Sequence, residues 1–198
     1  MNGALTPALD ALARGGMIVV TGDRLRGGDI DLAMAARHVT PDAINFMATH
    51  GRGLICLALT PASAIRLGIE LINPGREHQS GRPHGRSIEA AEGITTGISA
   101  ADRARTIDAA VADGATASDL VSPGHVFPLI TAEGGVAARA GAAEAAVELC
   151  RRADAGDAAV ICAIMRDDGE MARLADVRRH PALAALPIAD IADLLRRE

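Results

Sequence analysis

The sequence has no tryptophan, no tyrosine and no lysine, and it has only two phenylalanines among 198 residues. Its formal net charge is −5. A basic surface for a phosphate backbone and aromatic platforms for stacked bases are therefore both missing, and we expect no nucleic-acid partner. The absence of lysine also excludes Schiff-base chemistry and a P-loop lysine.

Cysteines and long apolar runs are scarce as well. Cys56, Cys150 and Cys162 show no CxxC spacing, which predicts buried, reduced thiols and no structural zinc site. No apolar run approaches the roughly 20 residues that span a bilayer, and Met1–Gly16 lacks a basic segment followed by an apolar one. We expect a cytoplasmic protein without membrane contact. A hydrophobic content of 49% predicts one globular domain over residues 1–198.

Helix and strand signals alternate along the chain. A polar loop at Thr21–Asp29 follows the first strand, a common place for ligand contacts in α/β proteins. A mobile, cationic loop is predicted at Asn73–Arg86, and Ser122–Leu129 is predicted as a tight turn that leads into a short apolar stretch. The pattern favours a single layered domain with a mixed sheet. Helices are predicted at Thr6–Arg14, from Pro41, from Pro61, at Asp102–Asp113, at Glu144–Arg152 and at Pro187–Arg197, and strands at Met17–Val20, Leu54–Leu59 and Ala158–Met165.

Two motifs carry a family resemblance: TTGISAADR at Thr95–Arg103 and SPGHVFPL at Ser122–Leu129. With Thr40–Cys56, Ser87–Gly93 and Asp167–Arg173, they make nearly the whole chain similar to 3,4-dihydroxy-2-butanone 4-phosphate synthase of riboflavin biosynthesis. The resemblance implies an α+β fold of three layers, with a mixed sheet between helices, and a homodimer. It also implies a lyase that converts ribulose 5-phosphate to the four-carbon ketone phosphate and formate, with magnesium as cofactor.

The sequence departs from the family at three functional positions. The family motif Asp-Arg-Glu-Asn-Glu-Gly-Asp falls on Asp23–Asp29, which places its metal-binding glutamate at Leu25. The family's metal-binding histidine falls on Ala142, and a catalytic glutamate falls on Ala163. None of these side chains can ligate a hard cation. We therefore predict no metal and no cofactor, and we expect the ordinary synthase reaction to be absent or very slow.

Three polar residues are candidates for catalysis. His125 follows Pro-Gly in the second motif, and its imidazole suits general acid–base chemistry; the alternative is a buried histidine that bonds backbone groups. Arg24 and Asp29 are retained from the family's first motif and are expected to face the substrate. Their alternative is a surface ion pair that closes a glycine turn.

The cationic loop and two further family positions complete the candidates. His78, His84 and Arg86 are hypothesised to supply the positive charge or proton transfer that the metal no longer provides, with His84 as a catalytic and Arg86 as a binding residue; a solvated loop is the alternative. The resemblance makes Arg139 the phosphate-binding arginine and Cys56 a residue that lines the substrate site. Their alternatives are an exposed arginine and a small core residue.

Two functions stay open. The first is a diverged, metal-independent lyase, isomerase or dehydratase that acts on a small anionic or sugar-phosphate-like substrate. The second is a catalytically inactive homologue that binds a ligand or a partner subunit, and ordinary synthase activity is the least expected outcome. The apolar helices at Ala145–Cys150 and Pro187–Leu195 are candidates for the contact in the expected homodimer.

Overall fold

The computed structural model describes residues 3–72, 74 and 83–196, without the side chain of Arg26. Seven strands form one sheet in the order β4-β5-β3-β6-β2-β1-β7. The pairs β1–β7 and β3–β5 are parallel and the other four pairs are antiparallel, so the sheet is mixed. The strands are β1 Ile18–Asp23, β2 Asp29–Ala35, β3 Arg52–Leu59, β4 Ile88–Ala90, β5 Leu120–Ile130, β6 Ala159–Ile164 and β7 Ile188–Asp190.

Helices cover both faces of the sheet and give the three layers that the resemblance implied. Each face has its own apolar core, one centred on residues such as Leu57 and Ile107 and the other on residues such as Cys56 and Leu149. Helices α2, α3, α4 and α7 pack on the first face, and α1, α5, α6 and α8 on the second. The helices are α1 Thr6–Ala13, α2 Pro41–Phe46, α3 Pro61–Arg66, α4 Ala100–Val111, α5 Gly135–Ala138, α6 Ala142–Arg152, α7 Leu174–Arg179 and α8 Ile191–Leu195.

Two predicted helix starts are confirmed in atomic detail. The Thr40 hydroxyl accepts a hydrogen bond from the Ala43 N–H at 3.1 Å, and the Thr60 hydroxyl accepts one from the Ser63 N–H at 3.1 Å. Each threonine precedes a proline. The N–H groups of a first helical turn have no partner within the helix, so a proline, which has no N–H, loses no hydrogen bond there, and its fixed φ suits the helix. The caps therefore fix where α2 and α3 begin.

Three sequence predictions were wrong at the level of elements. The tight turn and apolar stretch predicted at Ser122–Leu129 lie inside the 11-residue strand β5, in which residues 122–125 leave the ladder with β4 as a bulge. The predicted helix at Pro187–Arg197 is a three-residue strand, β7, followed by the short helix α8. The polar loop after β1 is also shorter than predicted, because β1 continues to Asp23 and β2 already begins at Asp29.

The apolar face of α6 does not offer a surface for a dimer. Ala145, Ala146, Leu149 and Cys150 are each at most 1% exposed, because α6 packs on the sheet and against α1. The proposed contact through Ala145–Cys150 is therefore wrong.

Within the described residues, no helix combines the length and the apolar content that crossing a bilayer requires.

Candidate functional site

The first cluster of site residues joins the loop after β1 to the start of α6. Asp23, which is only 2% exposed, ends β1. Its Oδ1 accepts the Leu25 N–H at 3.1 Å and its Oδ2 accepts the Ala142 N–H at 3.1 Å. We call this cluster the Asp23 corner. It brings together the two positions, Leu25 and Ala142, that the family resemblance assigned to metal ligands.

The two positions that the resemblance assigned to metal ligands, Leu25 and Ala142, do not fit a magnesium ion. Leu25 and Ala142 have no side-chain oxygen or nitrogen, and Mg²⁺ takes oxygen ligands. Leu25 packs over the start of α6, since a Cβ placed on Gly141 would lie 3.7 Å from the Leu25 Cδ1. Across residues 3–72, 74 and 83–196, no three carboxylate, imidazole or thiol groups come together as ligands for a metal ion. Ala163, paired with Asp31 in the sheet, adds no donor either.

Arg139 lies next to the Asp23 corner in a buried ion pair. Its Nε donates to Glu144 Oε1 at 2.7 Å, its Nη2 bonds the same oxygen, and Nη2 also donates to the Ile130 carbonyl at 2.9 Å. Glu144 is 3% exposed and also accepts the Ala132 N–H at 3.0 Å. Glu144 therefore ties the start of α6 to Arg139 and to the segment after β5. Anion binding by Arg139 stays a prediction, because the guanidinium already has these partners.

Arg24 and Asp29 both lie at the Asp23 corner, but they differ in their exposure to solvent. Arg24 opens the 3-10 turn Arg24–Arg26, and its side chain is exposed. Asp29 is 8% exposed and lies opposite Asp23 in the β1–β2 ladder. The corner therefore carries two buried carboxylates and one exposed guanidinium, and substrate contact by Arg24 and Asp29 stays a prediction.

The second cluster lies on β4 and β5. His125 Nδ1 is 2.7 Å from Glu89 Oε1, and the two side chains are 42% and 12% exposed. A carboxylate only accepts hydrogen bonds, so Nδ1 is the donor in this contact, and in the neutral ring Nε2 is then the acceptor. We call this pair the His125–Glu89 dyad. It has the arrangement of a general base whose second nitrogen is held by a carboxylate.

Local chain geometry explains how His125 reaches Glu89. The ladder pairs Ile88 with Val126 and Glu89 with Val121, so the four residues between Val121 and Val126 bulge out of the strand. Gly124 is essential to this path, because a Cβ there would lie 2.1 Å from the Ile88 carbonyl oxygen. The Gly124 N–H donates to the Ser87 hydroxyl at 3.1 Å. The bulge thus presents His125 beside the short strand β4.

The TTGISAADR motif lies next to the Glu89 side of the dyad. The Asp102 carboxylate accepts the Thr95 hydroxyl at 2.8 Å, the Thr95 N–H at 3.1 Å and the Gly97 N–H at 3.0 Å. The hydrogen bond from the Thr95 side chain is the main cause that lowers the pKa of Asp102 below its ordinary 3.8. Gly97 lies directly against Glu89. Asp102 therefore holds the Thr95–Gly97 segment in place next to Glu89.

The structure does not bring the predicted catalytic residues into one cluster. In the sheet, β5 and β1 are separated by β3, β6 and β2. At the usual spacing of neighbouring strands, β5 lies roughly 19 Å from β1, which precedes Arg24, and roughly 14 Å from β2, which begins at Asp29. His125 therefore lies apart from Arg24 and Asp29 within one chain. Nor is His84 beside His125: it pairs with Leu129, four residues further along β5, or roughly 13 Å.

The predicted cationic loop falls partly outside the described residues. His78 lies outside them, so its expected role stays a prediction. The last part of the loop is not free, because His84 and Gly85 bridge to Leu129 and Leu71 and extend the edge of the sheet. Arg86 is exposed and forms an ion pair with Glu70 at 3.7 Å. The roles of His84 and Arg86 at a substrate site stay predictions.

Cys56 is a core residue in this structure, with 1% exposure, so ligand contact by its thiol stays a prediction. Sequence reasoning missed two side chains with central positions, Glu89 and Asp23. Both had a signal: Glu89 is the one charged residue between Ile88 and Ala90 in the short apolar strand β4, and Asp23 directly precedes the 3-10 turn and accepts the Leu25 N–H of that turn.

Comparison with known proteins agrees with this architecture. The family model of 3,4-dihydroxy-2-butanone 4-phosphate synthase matches residues 6–197. The synthase of that name from Pseudomonas aeruginosa is 46% identical over 187 residues, which cover 94% of this chain and 51% of that protein. The chain therefore belongs to the 3,4-dihydroxy-2-butanone 4-phosphate synthase family.

Solved structures show the same fold. RibBX from A. baumannii, a two-domain 3,4-dihydroxy-2-butanone 4-phosphate synthase, superposes with a TM-score of 0.90 at 43% identity, over 96% of this chain and 56% of that one. A synthase crystallised with two magnesium ions superposes with a TM-score of 0.83 at 35% identity, over 96% of this chain and 94% of that one. The chain spans about half the length of several curated relatives, such as the Pseudomonas aeruginosa protein at 51%.

Proposed function

We propose that this chain is a metal-independent enzyme of the synthase family, a single domain over residues 1–198 that moves protons on a small anionic or sugar-phosphate-like substrate. The His125–Glu89 dyad is the observation that carries the proposal. A carboxylate 2.7 Å from Nδ1 fixes the tautomer and the orientation of the ring. His125 keeps 42% of its side chain exposed, so Nε2 is accessible to a carbon-bound or hydroxyl proton. In this proposal His125 is the catalytic base and Glu89 is a positioning residue.

The chemistry at the Asp23 corner supports a reaction that runs without magnesium. The family relatives include a synthase solved with two magnesium ions, but Leu25 and Ala142 occupy the expected ligand positions. The two oxygens of Asp23 already accept backbone N–H groups. Isomerisation of a hydroxyketone through an enediol and loss of water from it through an enol both begin with removal of a proton next to the carbonyl, a step to which a positioned general base contributes about 10²–10⁴-fold.

The test is isotope exchange with ribulose 5-phosphate in D₂O containing EDTA, followed by NMR. We expect deuterium to enter the carbons beside the ketone without release of formate. The rate of exchange is expected to fall by about 10²-fold or more in His125→Asn. His38→Asn is the control and should leave the rate unchanged, since His38 lies in a 3-10 turn after β2 and not on β4 or β5 with the dyad. Formate that appears only when magnesium is added would refute the proposal and establish the ordinary synthase reaction.

A second candidate function, a ligand-binding or partner-binding homologue without activity, is favoured by one observation. Two polar side chains at or beside the Asp23 corner are already bonded within the chain, Asp23 to two backbone N–H groups and Arg139 to Glu144. In that case ribulose 5-phosphate binds by calorimetry, yet neither exchange nor formate appears with or without magnesium.

We also propose that the chain forms a homodimer in the cytoplasm. The separation of the Asp23 corner from the His125–Glu89 dyad within one chain supports a second subunit, because a facing copy could place its corner opposite the dyad. Exposed apolar residues adjoin the dyad: Val121, paired with Glu89, is 50% exposed, and Ile98 is 54% exposed. A monomer in sedimentation at micromolar concentration would contradict the dimer.

A further inference from the structure

On the opposite face of the sheet from α6, a cavity of 240 Å³ opens between β6, α7 and the segment that follows α2. The segment Met47–Gly51 forms a π-helical turn that presents His50 to the cavity. π-helical turns interrupt regular helices at a cost and occur frequently at functional sites. The cavity lies outside both clusters described above.

A second backbone irregularity follows directly. Arg52 has φ of +67°, in the left-handed region that non-glycine residues seldom adopt. Its guanidinium donates to the Arg166 carbonyl at 2.6 Å and to Asp167 at 3.1 Å, which holds the side chain at the cavity wall. Residues kept in such conformations cluster at ligand sites, where surrounding contacts maintain them.

The polar lining offers donors. The Ala182 N–H donates to His180 Nδ1 at 3.2 Å, so in the neutral ring Nε2 carries the proton. The His180 and His50 rings meet edge to face with centroids 5.3 Å apart. Arg179, in the last turn of α7, is exposed and has no ion-pair partner in the part of the chain that the structure describes.

The acidic and apolar walls define the rest of the ligand chemistry. Asp167 is paired with Arg52, and Asp176 accepts the Arg173 N–H at 2.8 Å. Both carboxylates therefore already have partners. Of the arginines in the lining, Arg52 and Arg166 are also paired with carboxylates, whereas Arg179 and the His180 ring remain available as donors. The buried side chains of Val177 and Leu183 form an apolar wall. The volume is smaller than the roughly 300–1,000 Å³ typical of drug-sized ligands.

We propose that this cavity binds a small organic anion, with its phosphate or carboxylate at Arg179 and His180 and an apolar ring against Val177 and Leu183. Binding here is separate from the activity proposed above, because the cavity shares no residue with the His125–Glu89 dyad or the Asp23 corner. A loss of one therefore does not imply a loss of the other.

The test uses phenyl phosphate as the probe and the carbon-13-labelled histidines of the full chain as the readout. The sequence has six histidines and no tyrosine or tryptophan, so the aromatic NMR region is sparse. We expect saturable shifts of the His50 and His180 signals, identified by their loss in His50→Gln and His180→Gln. Inorganic phosphate and benzyl alcohol, which each supply one half of the ligand, are expected to bind more weakly than phenyl phosphate.

Neighbouring arginines give the matched control. Arg179→Gln is expected to raise the dissociation constant about tenfold, the effect of losing one charge-assisted hydrogen bond. Arg178→Gln changes the adjacent residue of α7, which does not line the cavity, and should leave the constant unchanged. Absence of saturable shifts up to millimolar probe, or equal effects of the two substitutions, would overturn the proposal.

Discussion

Replacement of Glu144 by alanine should destabilise the fold far more than the same change at Glu148, one turn later on α6. Glu144 is 3% exposed and receives hydrogen bonds from Ala132 and Arg139, whose side chain is 21% exposed. Removing one partner of a buried pair costs about 3–5 kcal/mol. Because Arg139 keeps some exposure and its bond to Ile130, we expect about 3 kcal/mol of lost unfolding free energy, at the low end of that range.

Glu148→Ala is the matched control, since both substitutions put alanine into the same helix. Glu148 pairs with Arg152 at 2.8 Å, but the two side chains are 28% and 42% exposed. An exposed pair four residues apart on a helix contributes about 0.3–0.5 kcal/mol. Urea unfolding followed by far-UV circular dichroism measures both values. Equal losses in the two variants would refute the assignment of Glu144 and Arg139 as a buried structural pair.

Three further predictions address the pH dependence, the thiols and the dyad. The pKa of Asp102 is lower in the folded chain than its ordinary 3.8, so its contribution to stability is present above that value and is lost as the pH falls through the folded pKa. The stability difference between wild type and Asp102→Asn, from urea unfolding, should therefore shrink in acid. Burial raises the pKa of Cys150 to about 12, and Cys56 and Cys162 are also buried, so a disulfide reagent should label the thiols only after unfolding. Gly97 has φ of +84°, and a Cβ there would lie 1.6 Å from Glu89 Oε1; Gly97→Ala should displace Glu89 and shift the NMR signals of His125.

A specific experimental result would contradict each of these three predictions. A stability difference for Asp102→Asn that stays constant from neutral to acidic pH would show that its hydrogen bonds do not favour the charged form. Rapid labelling of a thiol in the native protein would contradict the burial of the cysteines. Unchanged His125 signals in Gly97→Ala would show that Glu89 does not depend on the close approach at Gly97.

The elements that sequence patterns predicted well are those with continuous apolar runs or clear caps. The strand at Leu54–Leu59 lies within β3, the strand at Ala158–Met165 contains β6, and the threonine-proline caps start α2 and α3. The strand β2 went unpredicted because Asp29 and Asp31 interrupt its apolar pattern, although both carboxylates are buried in the sheet. Burial of charged groups depends on partners distant in sequence, which local periodicity does not contain.

The candidate site was predictable in its residue types and not in its grouping. His125 was chosen for its turn, and the structure adds the carboxylate of Glu89, 36 residues away in the chain. Arg24, Asp29 and His125 were expected to act together, yet strand order separates them within one chain. Strand order follows from pairing between segments that are distant in sequence. A single sequence therefore identifies side chains with suitable chemistry, but it does not show which of them lie close together in the fold.

The two edges of the sheet have a consequence for how the chain behaves at high concentration. The outermost strands, β4 and β7, are each three residues long, which is roughly 10 Å of backbone, and the bridge of His84 to Leu129 adds one further pair beside β4. A foreign strand that adds to such an edge gains few hydrogen bonds, and short edge strands are one way in which natural proteins resist edge-to-edge aggregation. The long and apolar strands β3 and β6 lie inside the sheet, where both of their ladders are already paired.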